Sequence, residues 1–375
     1  MTCLVLTGIG HFKLVDRGTF REEETRHLLT DHEYPSRNVD QNLSDLRAQI
    51  AANNAGIKEL HKMVAAFGFD VVRAYMGHVQ DNAEESIRRV IQTLKDGEFV
   101  YAMDDDKEGK PFIKCKVTVD RLQRSAKIDF TGTARQQTTN FNAPKSIAQA
   151  AVIYVFRTLV NDRIPLNAGC LKPLNIILPE GSMVNPKYPA AVVAGNVEVS
   201  QAVTDCLYGA LGVLAASQGT MNNLTFGNQL GLNYYETICG GTGAGRDHHG
   251  QSAIHSHMTN TRLTDPEILE HRFPVTLEEF GIRKESGGGG RFRGGDGIIR
   301  RLRFNEAMTV SILANHRKVP PFGLEGGQDG QVAENYLEKT DGSVVTLGHR
   351  GSLEVSPGDI FVIKTPGGGG FGVDK

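Results

Sequence analysis

Glycine sets the tightest constraint on what this chain can fold into. It supplies 43 of 375 residues, and many fall in short runs: Gly240–Gly245, Gly287–Gly290, Gly294–Gly297 and Gly367–Gly370. A residue without a Cβ admits positive φ and close approach of one main chain to another, so such runs suit turns, bulges and anion cradles. They count against a mainly helical bundle. The two later runs, Ser286–Gly297 and Pro366–Gly372, read as tight turns where sheets approach each other, with Arg291 and Arg293 placed to take a phosphate or carboxylate. The earlier loop, Gly240–Arg246, reads as a flexible turn or a substrate-facing loop. It lacks the GK[ST] of a Walker A loop and the spacing of a dinucleotide fingerprint.

The length exceeds a usual single domain, so two packed lobes are expected. With 41 basic and 43 acidic side chains the net charge is −2, and nothing draws the chain to nucleic acid or anionic lipid. The five cysteines, Cys3, Cys115, Cys170, Cys206 and Cys239, form no CxxC pair. Reduced, buried thiols in a cytoplasmic protein are expected, rather than a zinc knuckle or disulfide framework. No apolar stretch approaches the roughly 18 residues of a membrane span. Met1–Gly10 lacks the basic segment of a signal peptide.

Periodicity gives the fold class. Leu43, Leu46, Ile50, Ile57, Leu60 and Val64 recur every three to four residues, predicting a helix over 38–66 with Ser44 or Asp45 near its cap. A second helix is expected over Phe69–Leu94, and others over 145–160, Gly195–Ser217 and Pro266–Phe273. Ile113, Cys115, Val117 and Val119 alternate with polar residues, the mark of a half-buried strand, with Ala126–Phe130 as its hairpin partner. Leu174–Leu178 reads as a strand, as do Ile298–Phe304, Thr309–Ala314, Val344–Leu347 and Ile360–Ile363 in a Gly-rich C-terminal stretch. The class is α+β: an N-terminal helical and mixed lobe followed by a Gly-rich β lobe. The expected divisions are a helical and hairpin region over 1–135, a mixed core over 136–278 and a β-rich region over 279–375.

Polar residues concentrate in a few places. His248-His249 and the stretch from His255 to Arg262 form the densest cluster. Two histidines at i, i+2 can share a strand face, and imidazole binds metals, but the spacing fixes no coordination geometry. A hydrogen-bonded polar strand and turn beside a cleft is the preferred account, and the metal content of the chain stays open. Asn196 and Ser200 open the helix after Gly195, as caps or as ligand contacts at its positive end. Asn222 and Asn223 add uncharged donors and acceptors just beyond it.

Longer strings carry a resemblance. Asn42–Gln49 with Ala51-Ala52-Asn53, Ala74–Gln80 with Asn82-Ala83-Glu84, Asp129–Thr133, Asn140–Pro144, Ile164–Cys170 and Ala215–Asn223 follow in order. Tyr234–Thr237, His255–Thr261, Leu263–Glu267, Arg291–Gly297 and Thr365–Gly372 continue the series. Together they resemble the hydantoinase B family, and within it the C-terminal portion of ATP-dependent 5-oxoprolinases, from about residue 12 onward.

The resemblance implies a two-part reaction. An ATP-binding A-type half, with its Mg, phosphorylates the lactam oxygen of 5-oxo-L-proline, and the B-type portion takes part in hydrolysing the activated ring to L-glutamate. It implies a pocket of oriented donors, with His255 or His257 as base, Asn196 as a further catalytic group, and Ser200, Asn222, Asn223, Asn260 and Arg262 binding the small cyclic amide. The family's B half also begins with a segment rich in His and Asp that has no counterpart here, so activity without a partner is not expected. Other readings stay open: a subunit of another hydantoinase, caprolactamase or ketone carboxylase oligomer, or a non-catalytic remnant of the family.

Overall fold

The architecture follows from where apolar side chains can be hidden. The computed structural model describes residues 12–31, 35–36, 38–104, 110–228 and 230–374; Cys3 and the apolar opening Met1–Gly10 lie outside them. The chain divides into two compact units, Thr2–Ala83 and Glu84–Lys375. In the first, a two-stranded ladder of β1 (Val15–Asp16) and β2 (Thr19–Phe20) precedes three helices, α1 (Glu22–Thr30), α2 (Val39–Phe67) and α3 (Phe69–Thr93), the last carrying the division point. The α2 cap is Asn38, whose side chain accepts from the Gln41 amide, rather than Ser44 or Asp45. Gly68, at φ +83, separates α2 from α3.

The larger unit opens with a sheet ordered β3 (Gly97–Ala102), β4 (Phe112–Asp120), β5 (Ser125–Asp129) and β6 (Leu174–Ile177), the last pair parallel. The alternation in β4 is that of the sequence: Ile113, Cys115 and Val117 are wholly buried. Helix α4 (Lys145–Thr158) packs on α5 (Ser200–Leu211), which covers β3 and β4. In α5 every residue is buried except Gly209, which is partly so; a helix buried all round is a central element. It ends at Gly212 in the left-handed conformation, short of the expected Ser217. A π-helical turn, Gly195–Val199, leads into it.

Strands β7 (Asn223–Gly227) and β8 (Asn233–Glu236) lie in the asparagine-rich stretch where no element was expected. After the Asp265-capped α6 (Pro266–Arg272) come β9 (Val275–Arg283), β10 (Gly297–Phe304), β11 (Met308–Leu313), β12 (Glu334–Glu338), β13 (Val344–Leu347), β14 (Arg350–Val355) and β15 (Ile360–Lys364). They form two antiparallel sheets, β14-β11-β7-β8 and β13-β12-β15-β10-β9. Phe226, Val310 and Ile312 of one and Leu302, Phe304, Leu337 and Phe361 of the other share one apolar core. Inside it Arg300 lies 3.0 Å from the Glu236 carboxylate, both almost fully buried, with the Tyr234 hydroxyl on the same carboxylate.

The run Gly367–Gly370 is not the tight turn expected of it. Within Gly367–Gly370 no residue has positive φ. The segment runs extended through a lattice of other main chains. Gly288 donates to Gly368 O at 2.8 Å, Gly368 to Gly295 O at 2.9 Å, Gly369 to Ala216 O at 2.8 Å, and Gly370 to Gln328 O at 2.9 Å. A Cβ at Gly368 would overlap the Thr242 carbonyl, and one at Gly370 the Gly289 carbonyl. Absence of a side chain here lets backbones pair in several directions at once.

Gly368→Ala should therefore destabilise the protein by more than ~3 kcal/mol, since rigid carbonyls, not flexible side chains, oppose the added methyl. Gly348→Ala, where a Cβ meets nothing within 4 Å, should cost no more than about 1 kcal/mol. Urea denaturation of both variants checks this; equal midpoints would show that the lattice tolerates side chains.

Candidate functional site

Helix α5 and the π-turn before it place three polar side chains on one face. Glu198, Gln201 and Asp205, at i, i+3 and i+7, are all at 0% exposure. Burying such groups is costly unless each finds partners. Glu198 Oε1 accepts from the Thr220 hydroxyl (3.0 Å), the Met221 amide (3.1 Å) and Asn223 Nδ2 (2.7 Å). Asp205 Oδ1 accepts from the Ser217 amide at 3.3 Å. Gln201 Nε2 donates to Ser256 O (3.2 Å) and the Thr259 hydroxyl (2.8 Å). In each case one oxygen, Glu198 Oε2, Asp205 Oδ2 or Gln201 Oε1, has no hydrogen-bond partner.

His257 Nε2 stands 3.2 Å from Asp205 Oδ1, though off the line of a good hydrogen bond. Its Nδ1 lies 3.3 Å from the Tyr154 hydroxyl, and its ring packs against Tyr154 and Tyr208. On the other side, Arg317 donates to Asn222 Oδ1 (2.8 Å), Asn315 O (2.6 Å) and Asn335 Oδ1 (2.8 Å). Each is a neutral acceptor, and burial pulls the Arg317 guanidinium down to about 10. His316 bonds the Tyr101 hydroxyl and, through Nδ1, Val319 O at 2.6 Å; burial lowers its pKa and keeps it neutral. Asp104 accepts the amides of Arg317, Lys318 and Val319. Asn222, His257 and His316 all sit at positive φ, at +45, +51 and +62, conformations that side chains other than glycine adopt only when the surroundings impose them.

Burial also governs charge. It raises the Glu198 carboxyl to about 8, against the partial opposition of its three donors and Arg317. Since Oε1 is occupied by donors, the proton belongs on Oε2. The cluster thus combines a carboxylate beside an imidazole, a neutral carboxylic acid and a buried guanidinium. That set can take a proton, give one and stabilise an anion.

The residues named from sequence divide. His257, Asn222 and Asn223 lie in the cluster. Ser200 is buried, but its hydroxyl donates to Asn196 O at 2.6 Å. Both ring nitrogens of His255 are buried without partners, and burial lowers its pKa. The side chains of Asn196, Asn260 and Arg262 are exposed. His255 and His257 lie on a loop and share no strand. Among the described residues no three His, Cys, Asp or Glu side chains gather as metal ligands. Glu198, Gln201, Asp205, Tyr101, His316 and Arg317 were not foreseen. One signal was present: acids and an amide at helical spacing among Val199, Val203 and Leu207, on a helix otherwise fit for a core.

The fold and this site define an α+β protein with a buried acid–base cluster on a central helix. The profile described as Hydantoinase B/oxoprolinase matches residues 7–374, and the chain belongs to that family. It is 44% identical to a 5-oxoprolinase of Dictyostelium discoideum over 366 residues, covering 96% of this chain and 28% of that protein. It is also 44% identical to 5-oxoprolinase 1 of Arabidopsis thaliana, covering 96% and 30%. A D-/L-hydantoinase subunit of the B type from a Pseudomonas strain is 28% identical, covering 88% and 60%. The chain therefore spans under a third of the oxoprolinases it matches. Among solved structures, the ATP-dependent caprolactamase of Pseudomonas jessenii superposes with a TM-score of 0.81 at 23% identity, over 96% of this chain and 66% of that one. A nucleotide-free acetone carboxylase gives 0.80 at 19%, over 96% and 56%. These two share the fold. Among the described residues no helix is long and apolar enough to cross a membrane.

The Glu198 proton has a measurable consequence. The unfolded chain releases it near 4.5 and the folded protein near 8, so folding takes up a proton between these values. Stability should fall as pH rises through that window and level off above it. Glu198→Gln keeps the acceptor at Oε1 and mimics the protonated acid. Its stability relative to the unaltered protein should rise between about pH 5 and 8 by a few kcal/mol, about 1.4 for each tenfold change in proton affinity. Denaturation across pH checks this; a constant difference would mean an ordinary carboxylate.

Proposed function

We propose that this chain is the B-type portion of an ATP-dependent 5-oxoprolinase, which turns 5-oxo-L-proline, ATP and water into L-glutamate, ADP and phosphate together with an A-type half. The observation that carries this reading is 44% identity to two 5-oxoprolinases over nearly the whole chain, against 28% to a hydantoinase subunit. ATP and Mg act on the A-type half. A cytoplasmic setting, with ATP at hand and thiols reduced, suits the free, buried Cys115, Cys170, Cys206 and Cys239.

The chemistry explains why two halves are needed. A lactam carbonyl is a poor electrophile because its nitrogen donates into it; phosphorylation of the oxygen removes that protection. Water adding to the activated carbon must lose a proton, and the ring nitrogen must gain one as the C–N bond breaks; the acyl phosphate so formed yields glutamate and phosphate when a second water cleaves it. We assign the first task to His257, oriented by Asp205, and the second to the protonated Glu198. Asn222 and Asn223 hold Arg317 and Glu198 in place, and Arg317 stabilises negative charge on the reacting oxygens. Arg262 and Asn260, exposed on the loop after His257, are assigned to the substrate carboxylate. His255, Asn196 and Ser200 receive no proton-transfer step.

Glutamate should form from 5-oxoproline only when ATP and a co-expressed A-type half are both present, and not with this chain alone. His257→Gln and Asp205→Asn should each lower kcat by ~10²-fold or more while folding is retained, the usual worth of a positioned proton acceptor. A folded chain with an ATP-competent partner that yields no glutamate would rule out this substrate. Full activity in His257→Gln would rule out the assigned base.

A further inference from the structure

His257 faces the acid–base cluster with one ring nitrogen and a chain of hydroxyls with the other. Nε2 is buried beside Asp205 without a hydrogen-bond partner, which leaves it to meet a water that the proposed reaction consumes. Nδ1 lies 3.3 Å from the Tyr154 hydroxyl. That hydroxyl meets the hydroxyl of Tyr208, which in turn lies 2.7 Å from Thr158 Oγ1. Tyr208 is buried, whereas Thr158, the last residue of α4, is exposed. Tyr154 and Thr158 stand at i, i+4, so both hydroxyls share one face of α4. The rest of what α4 buries is apolar: Ala148, Ala151, Val152, Val155 and Phe156. Packing of α4 on α5 would be served as well by rings and methyls without oxygen. The oxygens instead make a line from the buried imidazole to the surface.

Each link in that line can carry hydrogen either way. A hydroxyl donates one hydrogen and accepts at its oxygen, and the hydrogen rotates to suit its neighbours. Neutral imidazole accepts at one nitrogen while it donates at the other. Burial raises the pKa of both tyrosines, so neither stands as an anion at neutral pH and a proton crosses by passing from hydroxyl to hydroxyl. We propose that Tyr154, Tyr208 and Thr158 form a relay exchanging protons between His257 Nδ1 and solvent, a role that rests on His257 being the base. As Nε2 takes a proton from water, whose oxygen adds to the activated carbon, the N–H bond at Nδ1 breaks and an O–H bond forms at Tyr154. The Tyr154 proton passes to Tyr208, that of Tyr208 to Thr158, and that of Thr158 to bulk water. Each hydroxyl oxygen gains one bond to hydrogen and loses one, so no charge stays on the chain. The reverse sequence reloads Nδ1 once Nε2 has given up its proton. The three side chains act through His257, not on the substrate.

Exchange of the His257 ring N–H with water, followed by NMR on the full chain carrying isotope-labelled histidine, tests this without substrate. Tyr208→Phe keeps the ring that packs on His257 and removes only the hydroxyl. It should slow the exchange by about 10-fold or more, less than the loss of a group that meets the reacting water directly. Thr158→Val should slow it likewise, and Thr158→Ser, which restores the hydroxyl, should recover it. Because Thr158 is at the surface, its variants keep the test open where Tyr208→Phe fails to fold. With ATP and an A-type half present, glutamate formation should fall and recover in the same order. Exchange as fast in Tyr208→Phe and Thr158→Val as in the parent would overturn the relay, even where His257→Gln abolishes activity. Equal slowing in Thr158→Ser and Thr158→Val would mark a packing effect and overturn it too. Slowed exchange with glutamate formation indifferent to His257→Gln would leave the relay standing and overturn the assigned base.

Discussion

Main chain lying against main chain is the contact on which the larger unit depends. The segment Pro366–Gly370 gives and takes hydrogen bonds with four others, those around Ala216, Gly241–Ala244, Gly288–Gly295 and Leu324–Gln331. Every such bond would be lost if a side chain pushed the strands apart, and an unpaired buried amide costs about as much as the bond it forgoes. The lattice also sets the site. Gly369 holds the Ala216 carbonyl, and Gln218 donates to Gly241 O, so the loop Ser217–Asn223 is gripped from both directions. That loop carries the donors that saturate Glu198 and the amide that meets Asp205. Glycine at the C-terminus thus reaches the acid–base cluster through two hydrogen bonds.

Much of the fold was legible because its signal is local. A helix over 39–67 and one over 69–93 follow from apolar spacing, and β4 follows from strict alternation. What was missed depends on distant partners. Strands β7 and β8 are short and flanked by Asn and Gly, and they become strands because β11 pairs with β7 from far along the chain, Val310 opposite Phe226. The run Gly367–Gly370 was misread for a related reason. Sequence shows that side chains are absent, but a turn and a close-packed extended segment need the same absence, and only the identity of the neighbours separates them.

The site was half legible. The His255–Arg262 stretch and Asn222-Asn223 announced themselves as dense polar clusters, yet density on a loop does not reveal which way a side chain points. His257 turns inward to Asp205 and Arg262 remains exposed, five residues apart. Glu198, Gln201 and Asp205 were hidden by their helix, whose apolar spacing accounted for the segment without them. Depth turns these ordinary residues into chemistry. At the surface Glu198 would be ionised at neutral pH; enclosed as it is, the same carboxyl keeps its proton to about pH 8.

The two buried arginines illustrate how depth separates stability from reactivity. Arg300 lies between the β-sheets with Glu236 against it, a matched pair whose charges are spent on each other. Arg317 is equally enclosed, but its hydrogen bonds go to two asparagine side chains and a carbonyl, and the nearby Glu198 is held neutral by burial. Its charge is therefore not cancelled by a hydrogen-bonded carboxylate, and its pKa drops toward 10 because burial outweighs the attraction of Glu198 and Asp104. Such an arrangement costs folding energy that a simple core would not incur, and it persists only where surrounding structure enforces it. The left-handed backbone at Asn222 and His316, on either side of Arg317, is that enforcement. A cation held this way is available to meet negative charge that arises beside it.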